Sequence, residues 1–430
     1  MASQGSRLIV MAIPLIERAH VRPRPEAAQP HPYPPITAAA DDWAAIATQL
    51  AERLDATAGE RDREGGHAAA EYALIRESGL LGLSVPREHG GAGMGWPALF
   101  AIVRQLAAAD SALAHVFAFH HLQVATLRLY GAPAQVDRLL QRTISARWFW
   151  GNALNPRDRR CRAVASDAGG YVFSGDKGFC SGSVGADMLT VSAVDAATDS
   201  LVIAAIPADR AGVTVHGDWD AIGQRQTDSG TVGFDHVRVR ADEVLVAAGQ
   251  AQTPAMQLRS CMAQLVLVNL YTGIAVGAIG KAGALTRERS RAWAAADVDT
   301  AAEDPYLQHR YGRLWASLRA AEALADSAAR RLDTMYEVAL GTAGSISEGE
   351  RGSVAIAVAE AKVCAHDIAL QASSELFELA GTAAVARHRN LDRFWRNART
   401  HTLHDPIDYK LRDLGRWALL GQYPEPTAYS

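Results

Sequence analysis

The chain has 430 residues, of which 49% are hydrophobic and 21% charged, and carries a formal net charge of −4. That length allows two or three packed units around a large core, and the balance is that of a globular protein with no electrostatic pull towards nucleic acid or an anionic membrane. Four scattered cysteines (Cys161, Cys180, Cys261 and Cys364) form no CxxC pair, which argues against a disulfide framework or a zinc site and suits a reducing cytoplasm.

The apolar run at 8–16 is too short to span a bilayer, is interrupted by Pro14 and leads into Glu17 without a small-x-small cleavage site. Residues 1–38 read as a mobile arm, because 22–35 is rich in proline and poor in apolar periodicity. Residues 39–150 read as a helical unit, with Trp43, Ile46, Leu50 and Leu54, then Leu99, Ile102, Val103 and Leu106, at spacings of three and four. The glycine-rich stretch VPREHGGAG at 85–93 interrupts these helices as a loop. Its spacing is wrong for a dinucleotide-binding fingerprint, and no hydrophobic strand ends directly at it.

Residues 151–250 change to a strand texture. Gly169, Gly170 and Gly175 bracket a short β-prone run, and 189–194, 201–206 and 231–239 follow, as expected for antiparallel strands joined by turns. Residues 251–430 return to long helices, predicted at 256–289, 305–337, 347–381 and 392–404. Four such helices bury one another most simply as an antiparallel bundle. The expected fold class is therefore mostly α with a small central β domain.

Several segments sharpen that layout. They are Ser84 with the loop at 85–93, Gly151-Asn152-Ala153, Phe179-Cys180-Ser181-Gly182, WDAIGQRQTDSG at 219–230 and DRFWRNARTHTLHDP at 392–406. Together they resemble the acyl-CoA dehydrogenase superfamily and, within it, the dibenzothiophene monooxygenases, over residues 21–430. The resemblance implies a homotetramer that takes reduced FMN from a separate NAD(P)H-dependent flavin reductase. It also implies molecular oxygen as co-substrate, a C4a-hydroperoxyflavin, and oxygen transfer to a soft nucleophile such as the sulfur of an aromatic or small organosulfur compound. Two alternatives stay open: N- or C-hydroxylation in a biosynthetic pathway, and a dehydrogenase or nitroalkane-oxidase type of flavoenzyme with Asp405 as base.

The resemblance also nominates residues. His404 stands where the superfamily's dehydrogenases carry a glutamate base. Pro406 disfavours helix at Asp405, so a helix should end near His404, which could donate a proton or bond a carbonyl. His401 lies three residues earlier on the same face, without a third metal ligand. Asn152 and Ser181 are implied to hold the flavin edge, Ser181 on a strand; a turn asparagine is the plain alternative for Asn152. Phe179 and Trp219 are implied to bind the cofactor, with Cys180 a buried neighbour.

His115 matches a pocket histidine but reads equally as a core residue, and His120 and His121 have weaker claims. Phe119 replaces a tyrosine of the dibenzothiophene enzymes, which removes one hydroxyl from the pocket. Arg291 matches an arginine that crosses a subunit interface to the flavin phosphate, and Ala383 stands where those enzymes have arginine.

Overall fold

A computed structural model describes residues 32–34, 36–39, 41–288, 292–341 and 345–430. Most of the predicted arm at 1–38 and Arg291 therefore lie outside the described residues.

The first helices are α1 (Trp43–Glu64), α2 (Ala69–Glu77), α3 (Trp96–Ala109), α4 (Ser111–Tyr130) and α5 (Pro133–Ser145). Asp42 caps α1 by accepting from the Ala45 amide, and Asp110 caps α4 by accepting from Ala112 and Leu113. α1 buries one stripe through Ile46, Leu50 and Leu54, whereas α4 is buried on nearly every side. A helix apolar all round belongs inside a molecule, and α4 runs between the other helices and the sheet. In the loop before α3, a Cβ on Gly91 would sit 2.1 Å from the Val85 carbonyl oxygen, so that close chain crossing admits only glycine.

Eight strands follow: β1 (Trp150–Ala153), β2 (Arg162–Ala165), β3 (Tyr171–Lys177), β4 (Met188–Asp195), β5 (Leu201–Pro207), β6 (Val213–Val215), β7 (Val232–Val239) and β8 (Val244–Val246). They form one sheet in the order β6-β7-β3-β2-β4-β5-β8, with β1 also on β4. The expected all-antiparallel pairing is corrected here, because β1 and β2 both run parallel to β4. Each reaches β4 by a long crossover rather than a tight turn, which is what permits parallel pairing. Strands β1, β2, β6 and β8 are three or four residues long and too short to leave a periodic signature.

The chain ends in α6 (Pro254–Glu288), α7 (Pro305–Leu340), α8 (Glu348–Ala380), α9 (Asp392–Thr402) and α10 (Ile407–Leu420). α6, α7 and α8 pack on one another, and α3 and α4 close over α6, so a single apolar core runs from the first helices into the last. α6 is apolar enough to pass for a membrane span, with mean hydropathy 1.7, yet 83% of that stretch is buried inside the protein. The fourth predicted helix, at 392–404, is the short α9. α10 packs on α8 beyond it and was not predicted.

Candidate active site

His115, Phe119 and Gln123 follow at intervals of four on α4 and so share one face. The His115 ring stacks on Phe119 at 4.1 Å and 15°, and its other neighbour is the His401 ring of α9 at 4.8 Å. Both histidines are buried, and neither nitrogen of His115, nor Nδ1 of His401, has a hydrogen-bond partner among the described residues. Burial, with His404 nearby, pulls the His115 pKa down to about 3. Burial chiefly, with the neighbouring His115, holds His401 well below its ordinary value too. Both are therefore neutral at pH 7, each with one donor and one acceptor nitrogen. Unspent polar atoms at this depth are rare and mark where a bound molecule would be satisfied.

From this face the site continues into the sheet. Gln123 Nε2 donates to Asn152 Oδ1 at 3.3 Å, and the Asn152 backbone N–H donates to the Ser181 carbonyl at 2.9 Å. Asn152 lies inside β1, not in a turn before it. Ser181 Oγ is 2.9 Å from Ser229 Oγ, which is 2.7 Å from Thr227 Oγ1; Thr227 in turn donates to the Gln224 carbonyl at 3.0 Å. Contrary to expectation, Phe179, Cys180 and Ser181 lie in a turn after β3, not in a strand. The reason is Phe179, whose φ of 58° is left-handed and breaks extended geometry. Gln224 and Asp228 share that unusual conformation at φ 54° and 49°, so backbone strain gathers in the two segments joined by the Ser181, Ser229 and Thr227 hydroxyls. Phe179 is 68% exposed and meets Trp219 edge-on at 6.0 Å, and Trp219 Nε1 donates to the Gln224 carbonyl. Cys180 is buried, and burial pushes its thiol up to about 12, so it is no nucleophile.

On the helical side α9 ends at Thr402 and Pro406 precedes α10, as the proline predicted. His404 Nδ1 lies 2.8 Å from Asp405 Oδ1, and the same oxygen is 2.5 Å from the ammonium of Lys362 on α8. Gln264 of α6 accepts from Lys362, and Tyr271 of α6 donates to the His401 carbonyl at 2.8 Å. Among the described residues no group of three or more His, Cys, Asp or Glu is arranged to hold a metal.

The structure thus brings His115, Phe119, Asn152, Ser181, His401 and His404 into one constellation, with Phe179 and Trp219 at its rim. His120 and His121 stand apart as structural residues. His120 Nε2 donates to the Leu81 carbonyl and its Nδ1 accepts from the Trp150 amide, while His121 pairs with Ser84. Ala383 is exposed in a short 3-10 segment. Sequence reading missed Lys362, Gln264 and Gln123, and took in Ser229 only as part of the motif at 219–230. Of the three it missed, only Lys362 carried a signal, as the one lysine of α8.

An aromatic rim beside a row of unspent buried polar atoms fits a flat heteroaromatic ring with a polar edge, which is what a flavin presents. Helices, a mixed sheet and helices again around such a cleft define a flavoenzyme of acyl-CoA dehydrogenase architecture. Residues 43–147 match the acyl-CoA dehydrogenase N-terminal domain and residues 265–409 the acyl-CoA dehydrogenase C-terminal domain. The chain is 45% identical over 387 residues to the probable FMNH2-dependent monooxygenase SfnC of Pseudomonas putida, covering 90% of this chain and 97% of that protein. It is 41% identical to dibenzothiophene monooxygenase of Rhodococcus erythropolis, covering 95% and 98%. The solved structure of methanesulfinate monooxygenase MsuC from Pseudomonas fluorescens superposes with a TM-score of 0.86 at 46% identity, covering 90% and 98%. The chain belongs to the acyl-CoA dehydrogenase superfamily and, within it, to the flavin-dependent monooxygenases related to dibenzothiophene monooxygenase.

Proposed function

We propose that this protein is a two-component monooxygenase that uses FMNH2 from a separate NAD(P)H-dependent flavin reductase to oxygenate the sulfur of an aromatic or small organosulfur compound. The observation that carries the reading is the state of Asp405. Its Oδ1 is held by both Lys362 and His404 and its side chain is only 9% exposed, which suits a buried acceptor rather than the open base of a dehydrogenase. His404, half exposed at the end of α9, is the residue placed to exchange a proton in the cleft.

Reduced flavin supplies the reaction with dioxygen, one oxygen atom going to the substrate and the other to water. The protein's part is positioning and proton handling. His404 holds and returns a proton at the reacting oxygen. Asn152 and Ser181 would hold the flavin's ring edge by hydrogen bonds, and Phe179 and Trp219 would offer it an aromatic surface. His115 and Phe119 wall the substrate pocket, His115 as a neutral hydrogen-bonding group. By the resemblance, Arg291 would bind the flavin phosphate, in a homotetramer. The relatives that act on dibenzothiophene and on methanesulfinate support sulfur as the target atom, and their different bulk supports pocket shape as the selector. Exposed apolar residues on α7 and α10 (Tyr306, Trp315, Tyr409, Leu411, Leu419 and Leu420) suit burial between copies of the chain. We divide the chain at residues 38, 150 and 250. A cytoplasmic location accords with four unpaired cysteines.

The test mixes anaerobic protein and reduced FMN with oxygenated buffer while flavin absorbance is followed. Reoxidation markedly slower than without protein, and an oxygenated product from an organosulfur panel, is the expected result. His404→Ala should abolish product while leaving the circular dichroism unchanged. Reoxidation identical to free FMN, or tightly held FAD bleached by an acyl-CoA, would sink the reading.

A further inference from the structure

Lysine is costly to bury unless its charge is matched. Lys362 sits mid-way along α8 with its side chain 1% exposed, and its ammonium reaches Gln264 Oε1 and Asp405 Oδ1. The carboxylate oxygen that receives it also faces His404 Nδ1. A buried cation, a carboxylate and a half-exposed imidazole are thus strung in a line from the core to the cleft.

The order of charges along this line decides what His404 can do. Burial by itself would raise Asp405, but His404 and Lys362 outweigh it and hold the carboxyl below the usual range. An ionised carboxylate only accepts, so the proton between it and His404 must sit on Nδ1, and Nε2 is left unspent. Burial brings Lys362 down to about 8 against the upward pull of Asp405, so the lysine is cationic at neutral pH. With its charge matched, Asp405 has little pull to spare for a second positive charge on the imidazole. Without the lysine, the whole of the carboxylate's charge would act on the imidazole.

Other titratable groups around the trio are His401 on α9, His115 on α4, Tyr271 on α6, Lys410 on α10 and Tyr429 in the tail. Burial keeps both histidines and the Tyr271 phenol neutral at pH 7, and Lys410 donates to the Tyr429 carbonyl. Lys362 is the cation in direct contact with the Asp405 carboxylate.

We propose that Lys362 and Asp405 are positioning residues for His404. Asp405 fixes which imidazole nitrogen is turned away from the cleft, and Lys362 holds the counter-charge that leaves Nε2 free to gain and lose a proton. This rests on His404 being the proton-exchanging residue of the cleft.

The experiment uses the full flavin-free chain labelled with 15N-histidine, with the His404 signal identified by its loss in His404→Gln. Long-range proton–nitrogen spectra across a pH series read both its tautomer and its titration midpoint. The neutral ring should carry its proton on Nδ1. Lys362→Met should raise the midpoint by about one to two pH units, and Lys362→Arg should restore it towards the wild-type value. Asp405→Asn, a change at the middle of the line, should lower the midpoint and erase the tautomer preference. An unchanged midpoint in Lys362→Met overturns the role of the lysine. An unchanged tautomer and midpoint in Asp405→Asn overturn the whole assignment, even if the lysine variant fails to fold. The spectra need neither flavin nor substrate, so this outcome is separate from that of the reaction test.

Discussion

The backbone amide of Gln224 donates to Oδ1 of Asn397 across 2.6 Å, joining the loop that carries Trp219 to the helix that carries His401. Asn397 Nδ2 then donates to Ser111 at the start of α4, the helix of His115. The loop approaches so closely that a Cβ on Gly223 would lie 2.2 Å from the Arg396 carbonyl oxygen. One buried asparagine therefore ties together three segments on which the cleft is built.

Replacing Asn397 with leucine leaves the Gln224 amide buried without an acceptor, at a cost of about 1–3 kcal/mol. The expected result is a lower melting temperature together with weaker FMN binding, read by thermal denaturation and fluorescence titration. Lowered stability with undiminished FMN affinity would show that the tie does not position the cofactor face.

Phe119→Tyr returns a hydroxyl to a ring stacked on His115. The hydroxyl would add a donor and an acceptor at the ring edge, beside a histidine whose two nitrogens have no partner among the described residues. The expected outcome is a change in relative kcat/KM between bulky aryl sulfides and small organosulfur compounds, by roughly 10-fold for one hydrogen bond. Equal ratios before and after would remove Phe119 from substrate selection.

Acid should destabilise this protein before most carboxylates titrate. Burial lowers His115 to about 3 and His120 to about 4, from an unfolded value of 6.5. Between those values the unfolded chain binds more protons than the native one, so stability falls as pH falls below about 6.5. It is fully present above that pH. Each of the two groups contributes a slope of about 1.4 kcal/mol per pH unit within its window. His121 and His401 are shifted the same way, chiefly by burial, and steepen the loss. Denaturation midpoints in urea at pH 7.5, 6.5 and 5.5 check the sign; a constant midpoint over that range contradicts it.

Tyr271→Phe removes the hydroxyl that donates to the His401 carbonyl at the end of α9. The loss of a single buried hydrogen bond should cost about 1 kcal/mol. Because His401 and His404 follow from that turn, turnover should fall more than substrate KM rises. Unchanged turnover with reduced stability would assign Tyr271 to the core alone.

The sequence by itself determined the succession of helices, sheet and helices, because long periodic segments reveal which face they bury. Its motif at 392–406 singled out His404, and Pro406 placed the end of α9, since proline acts locally on the residue before it. What lies beyond the reach of local pattern was decided only in three dimensions. The parallel pairing of β1 with β4, the turn at Phe179, and the approach of Gln123 to Asn152 each depend on segments far apart in the chain. Lys362 is the clearest case. Composition makes it the one lysine of α8, and only the meeting of α8 with the loop after α9 gives it the Asp405 carboxylate, because a charge survives burial through its partner and not through its neighbours in sequence.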